Sequence, residues 1–168
     1  MNVFLIGLMG SGKTFWADKL SAVSNIPVFD LDKQIEKAEN KTIAEIFAEK
    51  GEAYFRGKEN EILKSFAAKN NFILSTGGGA PCFYDNMEWM NERGITIWID
   101  EPPGTIAKRL QKEKLHRPLI ANVTDEALPG FFVQMREKRK SFYAKAKYHL
   151  TGSAITVENL LKIISPNE

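Results

Sequence analysis

The sequence predicts a three-layer α/β fold: an open, mainly parallel five-stranded sheet with helices on both faces. Two observations predict it. Short apolar runs of strand length alternate along the chain with longer stretches of helical spacing. A glycine-rich segment, Gly7-Leu8-Met9-Gly10-Ser11-Gly12-Lys13-Thr14, joins the first such run directly to a helix. At 168 residues, one domain over 1–168 is expected, with right-handed crossovers between its strands.

Asn2–Ile6 reads as the first strand, and Lys13–Ser24 carries helical spacing after the glycines. Pro27–Phe29 is a short second strand that ends at Asp30. Thr42-Ile43-Ala44-Glu45 has the form of a capping box, followed by Ile43, Ile46 and Phe47 on one helical face. Helical spacing continues over Glu52–Asn70, where Phe55, Glu59, Ile62 and Phe66 share a side. Phe72–Leu74 is the third strand and stops at Gly77-Gly78-Gly79. The β-branched run Ile95–Ile99 is the fourth and ends at Asp100. Gly104–Lys114 is helical, and Glu126–Lys147 is a long helix with Pro129 in its first turn. Ile155–Val157 is read as the last strand, before a final helix to about Ile164. Leu115–Leu128 is the least regular long stretch, either a plain connection or a mobile lid.

Composition excludes several classes of function. Hydrophobic residues at 43% and charged residues at 26% are ordinary globular values. A net charge of +2, from 23 basic and 21 acidic side chains, gives no field that would recruit nucleic acid. The single cysteine, Cys82, allows no internal disulfide, and with His116 and His149 alone a Cys/His zinc site is not expected. The apolar start Val3–Leu8 is too short for a signal core, and no run approaches membrane-spanning length. A cytoplasmic protein, with no nucleic-acid or membrane partner, is the expectation.

Gly7, Gly12, Lys13 and Thr14 fill every fixed position of G-x-x-x-x-G-K-[ST]. In such a loop, glycines let backbone N–H groups converge on phosphate oxygens, and the following helix adds its positive end. Gly10, Ser11 and Gly12 would supply that cradle, Lys13 would bridge the β- and γ-phosphates, and Thr14 would ligate Mg2+. By chance the pattern arises in roughly 0.5% of chains this long. No N-K-x-D segment for reading guanine is present.

Asp30 and Asp32 leave the carboxyl end of the second strand, the edge where open α/β sheets bind ligands. One can hold a metal-bound water while the other meets the attacking hydroxyl; either would also serve as a helix N-cap. Farther on stand Gly51-Glu52-x-x-Phe55-Arg56-x-x-Glu59, Gly77-Gly78-Gly79, Arg117-Pro118-Leu119 and Arg139-x-x-x-Tyr143. Taken in order with the glycine loop and the two aspartates, these motifs resemble the shikimate kinase family along nearly the whole chain.

The resemblance implies a P-loop kinase fold with a substrate-binding region at about 31–60 and a mobile lid at about 112–126. It implies transfer of the ATP γ-phosphate to the 3-hydroxyl of shikimate, on the route to chorismate and aromatic amino acids. Lys13, Asp32 and Arg117 would be catalytic, with Asp32 meeting the ring hydroxyls and Arg117 closing over the phosphates. Arg56 and Arg139 would grip the acceptor carboxylate, with Glu59 orienting Arg56 and Gly77, Gly78 and Gly79 giving close backbone approach. Thr14 and Asp30 would hold Mg2+, Arg109 would stack on adenine, and family habit implies a monomer. Bland alternatives stand beside these roles. They are a surface ion pair for Arg56 and Glu59, a strand-ending turn for the glycine triplet, and a solvated helix face for Arg139. Other small-acceptor kinases of the same fold (gluconate or nucleoside monophosphate), or a non-catalytic nucleotide-binding module, are the competing functions. Two departures are visible. Ser141-Phe142 stands where the family commonly has Pro-Leu, and Thr151–Thr156 shows no recognisable adenine motif.

Overall fold

Five parallel strands form the sheet of the computed structural model, which describes residues 1–166. They are β1 (Asn2–Ile6), β2 (Val28–Asp30), β3 (Phe72–Ser75), β4 (Ile95–Asp100) and β5 (Tyr148–Thr151), in the order β2-β3-β1-β4-β5. Seven helices connect and cover them: α1 (Lys13–Ser24), α2 (Leu31–Glu39), α3 (Ile43–Ser65), α4 (Asn86–Arg93), α5 (Pro103–Leu110), α6 (Leu128–Tyr143) and α7 (Val157–Ile164).

The alternation of strand side chains splits the interior into two cores. Val3, Leu5, Ile73, Ile97 and Ile99 pack with Ala17 and Leu20 of α1 and with Leu160 and Ile164 of α7. Phe4, Ile6, Phe72, Leu74 and Trp98 point the other way, toward Leu63 of α3, Met87 and Met90 of α4, Ile106 of α5 and Phe132 of α6. With both faces covered, β1, β3 and β4 read as nearly continuous apolar runs, which makes them legible in the sequence. Each fully buried Leu or Ile contributes about 1.5–3 kcal/mol. Truncating Leu160, the fully buried side chain that seats α7, is expected to cost about 2–5 kcal/mol.

The structure corrects several boundaries. The last strand is Tyr148–Thr151 and not Ile155–Val157. As an edge strand it pairs only with β4, and Leu150 alone turns toward the core, so it lacks an apolar run to announce it. Ile155 is buried beyond a 3₁₀ turn at Gly152–Ala154, and Thr156 caps α7 by accepting from the Asn159 amide. The long helix contracts to Leu128–Tyr143, with Pro129 in its first turn as expected. The Gly104–Lys114 stretch becomes α5 and a separate 3₁₀ turn at Lys114–His116.

In α3 the capping box forms as predicted, but Gly51, at φ +80° and ψ 174°, kinks the helix before the Phe55–Glu59 segment. The predicted Glu52–Asn70 stretch stops at Ser65, with a 3₁₀ turn over Phe66–Ala68. Two short helices, α2 and α4, had not been expected. Asp30 starts α2 by accepting from the Lys33 amide, and Leu31 and Ile35 bury its inner face. Among the described residues no helix is long and apolar enough to cross a membrane.

Candidate active site

The loop after β1 turns through left-handed backbone at Gly10 and Gly12, φ +73° and +93°, before α1 begins. Its tight path carries Lys13 back over the loop. The ammonium donates to the carbonyls of Gly7 and Leu8 at 2.7 and 2.8 Å. Burial lowers the Lys13 pKa to about 7, partly offset by the nearby charge of Asp32. Ser11 is fully buried, and its Oγ has no hydrogen-bond partner.

At the end of β2, Asp30 does two jobs. One carboxylate oxygen caps α2, and the other accepts from Thr14 Oγ1 at 2.9 Å. Thr14 Oγ1 also lies 3.1 Å from Ser75 Oγ at the end of β3. Asp32, in the first turn of α2, points into the same space, and its buried Oδ1 makes no hydrogen bond. Burial and the neighbouring Asp30 charge raise its pKa to about 6, against the pull of Lys13 and Arg117.

Helix α3 brings in the next pair. Arg56 Nη1 donates to Glu59 Oε1 at 3.0 Å, with 5% and 0% of the two side chains exposed. That excludes a surface ion pair. Burial raises the Glu59 pKa to about 7 in spite of Arg56, and its second oxygen, Oε2, has no partner.

The glycine triplet after β3 fits between these groups because it has no side chains. A Cβ on Gly77 would stand 2.7 Å from Glu59 Oε2 and 3.1 Å from Asp32 Oδ1. On Gly79 it would stand 2.5–2.6 Å from the Arg56 guanidinium, and on Gly78 2.9 Å from the Met9 amide. Ordinary turns impose no such contacts; the triplet is a close-packed junction between the glycine loop and α3.

Arg139 reaches the same junction from α6. Its Nη1 would lie 3.2 Å from a Gly78 Cβ and is buried without a partner, so this arginine is turned inward. Tyr143, one turn later and fully buried, donates from its hydroxyl to Gly78 O at 2.5 Å. Arg136, one turn before, is taken by Asp100 through bonds of 3.0 and 2.7 Å.

On the open side, Arg109 donates to Gly10 O at 3.1 Å, and Arg117 pairs with Glu113 at 3.3 Å. The 112–126 segment that carries Arg117 is held by buried Ile120 and by Lys114, which bonds Val123 O at 2.9 Å and Asp125 at 2.6 Å. A cavity of about 700 Å³ opens between the two sides. Gly10, Gly12, Lys13, Thr14, Asp30, Asp32, Arg56, Glu59, Gly77, Gly78, Gly79, Arg109 and Arg117 all line it. Exposed His116 stands on its wall as well.

A family model for shikimate kinase matches residues 9–165. The shikimate kinase of Bacteroides thetaiotaomicron is 43% identical over 148 residues, 88% of this chain and 85% of that protein. A crystal structure of shikimate kinase from the same organism superposes with a TM-score of 0.90, at 38% identity over 98% of both chains. A structure of the Acinetobacter baumannii shikimate kinase in complex with shikimate gives 0.89, at 30% identity over 99% of this chain and 94% of that one.

The chain belongs to the shikimate kinase family.

Within this shikimate kinase, the site contains groups that sequence reasoning missed. Ser75 carries no signal beyond its place at a strand end, yet it stands beside Thr14. Glu52 bonds Arg56 at 3.3–3.4 Å from one turn earlier on α3, a spacing the sequence does show. Tyr143 was noted only as part of a motif; its bond to Gly78 spans a contact no local pattern encodes. The oxygens of Thr14, Asp30 and Ser75 suit a hard divalent cation such as Mg2+, which binds through few protein ligands plus phosphate.

Proposed function

We propose that this shikimate kinase transfers the γ-phosphoryl group of ATP to the 3-hydroxyl of shikimate through the residues of this cavity. One observation carries the assignment of roles. Asp32 Oδ1, Glu59 Oε2 and Arg139 Nη1, each buried and unbonded, surround the glycine triplet, and Asp32 and Glu59 line the cavity that also holds Lys13. Buried polar atoms without partners are rare, and a ring bearing a carboxylate and hydroxyls would satisfy these.

In this reading Arg56 and Arg139 grip the carboxylate, and Glu59 holds the Arg56 guanidinium in place. Asp32 accepts from the ring hydroxyls, including the reacting one, and is ionised above about pH 6. Lys13 exchanges its two loop carbonyls for β- and γ-phosphate oxygens, gaining a full anionic partner. Thr14 and Asp30 would hold Mg2+, which would supply neutralising charge to the phosphates. Gly10, Ser11 and Gly12 line the phosphate path, and Arg109 faces the nucleoside. Arg117 leaves Glu113 and stabilises charge on the transferring group as the lid closes. The enzyme works as a monomer in the cytoplasm.

A coupled ADP-release assay with shikimate, gluconate and nucleoside monophosphates tests this reading. Shikimate alone is expected to support rapid turnover. Faster turnover of gluconate or a nucleoside monophosphate would overturn the acceptor assignment, and ATP binding without any turnover would favour a regulatory module.

A further inference from the structure

Arg56 is confined on nearly every side. Its Nε and Nη2 face Glu52 Oε1 at 3.4 and 3.3 Å, and its Nη1 donates to Glu59 Oε1 at 3.0 Å. Three of the guanidinium's five N–H donors are thereby occupied, leaving one on Nη1 and one on Nη2. Two aromatic rings lie against it too. The centroid of the Phe55 ring lies 5.1 Å from Cζ, and that of Phe83 lies closer, at 4.4 Å.

Phe55 is the neighbour of Arg56 on α3, but Phe83 arrives from elsewhere. It follows the 3₁₀ turn Ala80–Cys82, directly after the glycine triplet. This segment is fastened along one stripe of α3. The Tyr84 hydroxyl lies 3.5 Å from where a Gly57 Cβ would stand. Asn60 donates to Asn86 at 2.6 Å, and Lys64 pairs with Asp85 at 2.6 Å. Asn86 also donates to Ala80 O at 2.9 Å and closes the segment on itself. Tyr84 sits at φ +51°, a conformation uncommon for a bulky residue, and the bend lets consecutive residues meet the helix.

We propose that Phe83 is a positioning residue for the acceptor's carboxylate: the docked 80–86 segment lays its ring on Arg56 and fixes the plane of the two free N–H groups. The proposal rests on the reading of Arg56 as the carboxylate grip. An aromatic face attracts the guanidinium and keeps water from it, while leaving the guanidinium edge open for a planar, two-point contact. An aliphatic side chain of similar bulk would fill the space without that attraction, and the cation would tilt.

Steady-state kinetics with shikimate and with its carboxamide, at saturating ATP, test the proposal in the intact enzyme. Phe83→Leu is expected to raise KM for shikimate about tenfold while kcat and KM for ATP stay within about twofold. KM for the carboxamide should move less than about twofold, so the preference for the acid over the amide shrinks about tenfold. Phe83→Tyr, which keeps the ring, should restore that preference. Phe83→Met serves the same comparison if the leucine variant does not fold. An unchanged KM for shikimate in Phe83→Leu, an equal loss for acid and amide, or no restoration by tyrosine would each overturn the role of Phe83. A wild-type enzyme that uses acid and amide equally, or an Arg56→Lys variant that keeps the wild-type preference, would instead overturn the carboxylate grip, and this proposal with it.

Discussion

In the acceptor half of the cavity, the Arg56 and Glu59 side chains are 5% and 0% exposed; on the lid side, Arg117 and Arg109 keep 35% and 46% in solvent. The first pair is bonded at 3.0 Å, whereas Arg117 and Arg109 lie 3.3 and 3.8 Å from their carboxylates. Breaking a buried pair by removing one partner costs about 3–5 kcal/mol, but an exposed pair is worth about 0–1 kcal/mol. The partners proposed for the acceptor are thus built into the fold. The arginines proposed to meet ATP, by contrast, are exposed and lightly tethered. A kinase gains from this division, because its active charges must admit ATP first and surround it afterwards.

The largest expected effect lies where the halves meet. Asp32→Asn should lower kcat about a thousandfold, within the span that general-base and positioning losses cover. Lys112→Ala, on the outside of the lid, should stay within about twofold. Similar rates for the two variants would remove Asp32 from the mechanism. In the wild type, kcat/KM should fall about tenfold per pH unit below about pH 6, because protonated Asp32 has lost the charge that draws the hydroxyl's proton.

Arg117→Ala should lower kcat about a hundredfold and leave KM for shikimate nearly unchanged. Arg56→Lys should do the reverse, raising KM for shikimate about tenfold or more with a smaller loss in kcat. If Arg117→Ala acted mainly through KM for shikimate, the division between the halves would fail.

A subtler difference concerns stability. Glu59 is raised from its ordinary 4.5 to about 7, so between those values the folded chain holds a proton that the unfolded chain releases. Its contribution to stability therefore falls as pH rises from about 5 to 7. Glu59→Gln removes that titration, and thermal melts of the ligand-free enzyme should show the variant gaining on wild type across the same window. Parallel melting curves would mean that Glu59 titrates as an ordinary carboxylate. The smallest effect belongs to the lid tether: Glu113→Gln should change kcat by no more than about twofold.

What the sequence revealed of this site was what short spacing encodes. The glycine loop, the two aspartates, and Arg56 with Glu59 each lie within a few consecutive residues. Other features depended on partners far away in the chain. Nothing in Arg136-Glu137-Lys138-Arg139-Lys140 says which arginine turns inward; Asp100 decides it by taking Arg136. The glycine triplet could be counted in the sequence, but the atoms that forbid a Cβ come from α2, α3 and the glycine loop. The edge strand β5 was missed because its hold on the sheet is largely backbone pairing with β4, joined by His149 stacked on Trp98 at 4.0 Å. Five strands were expected and the described residues form five, though one was drawn from the wrong residues.

The strand order carries a consequence for how the protein is made. β1 leaves the ribosome before the other four strands yet lies in the middle of the sheet, with partners that begin at Phe72 on one side and Ile95 on the other. Pairings this distant close slowly, because the intervening chain must be ordered before they form. The glycine loop hangs from the end of β1, so its backbone is translated early and takes shape late. A nascent chain that has not yet emerged past β3 holds the whole phosphate-binding motif and has no partner strand beside β1 on which to display it.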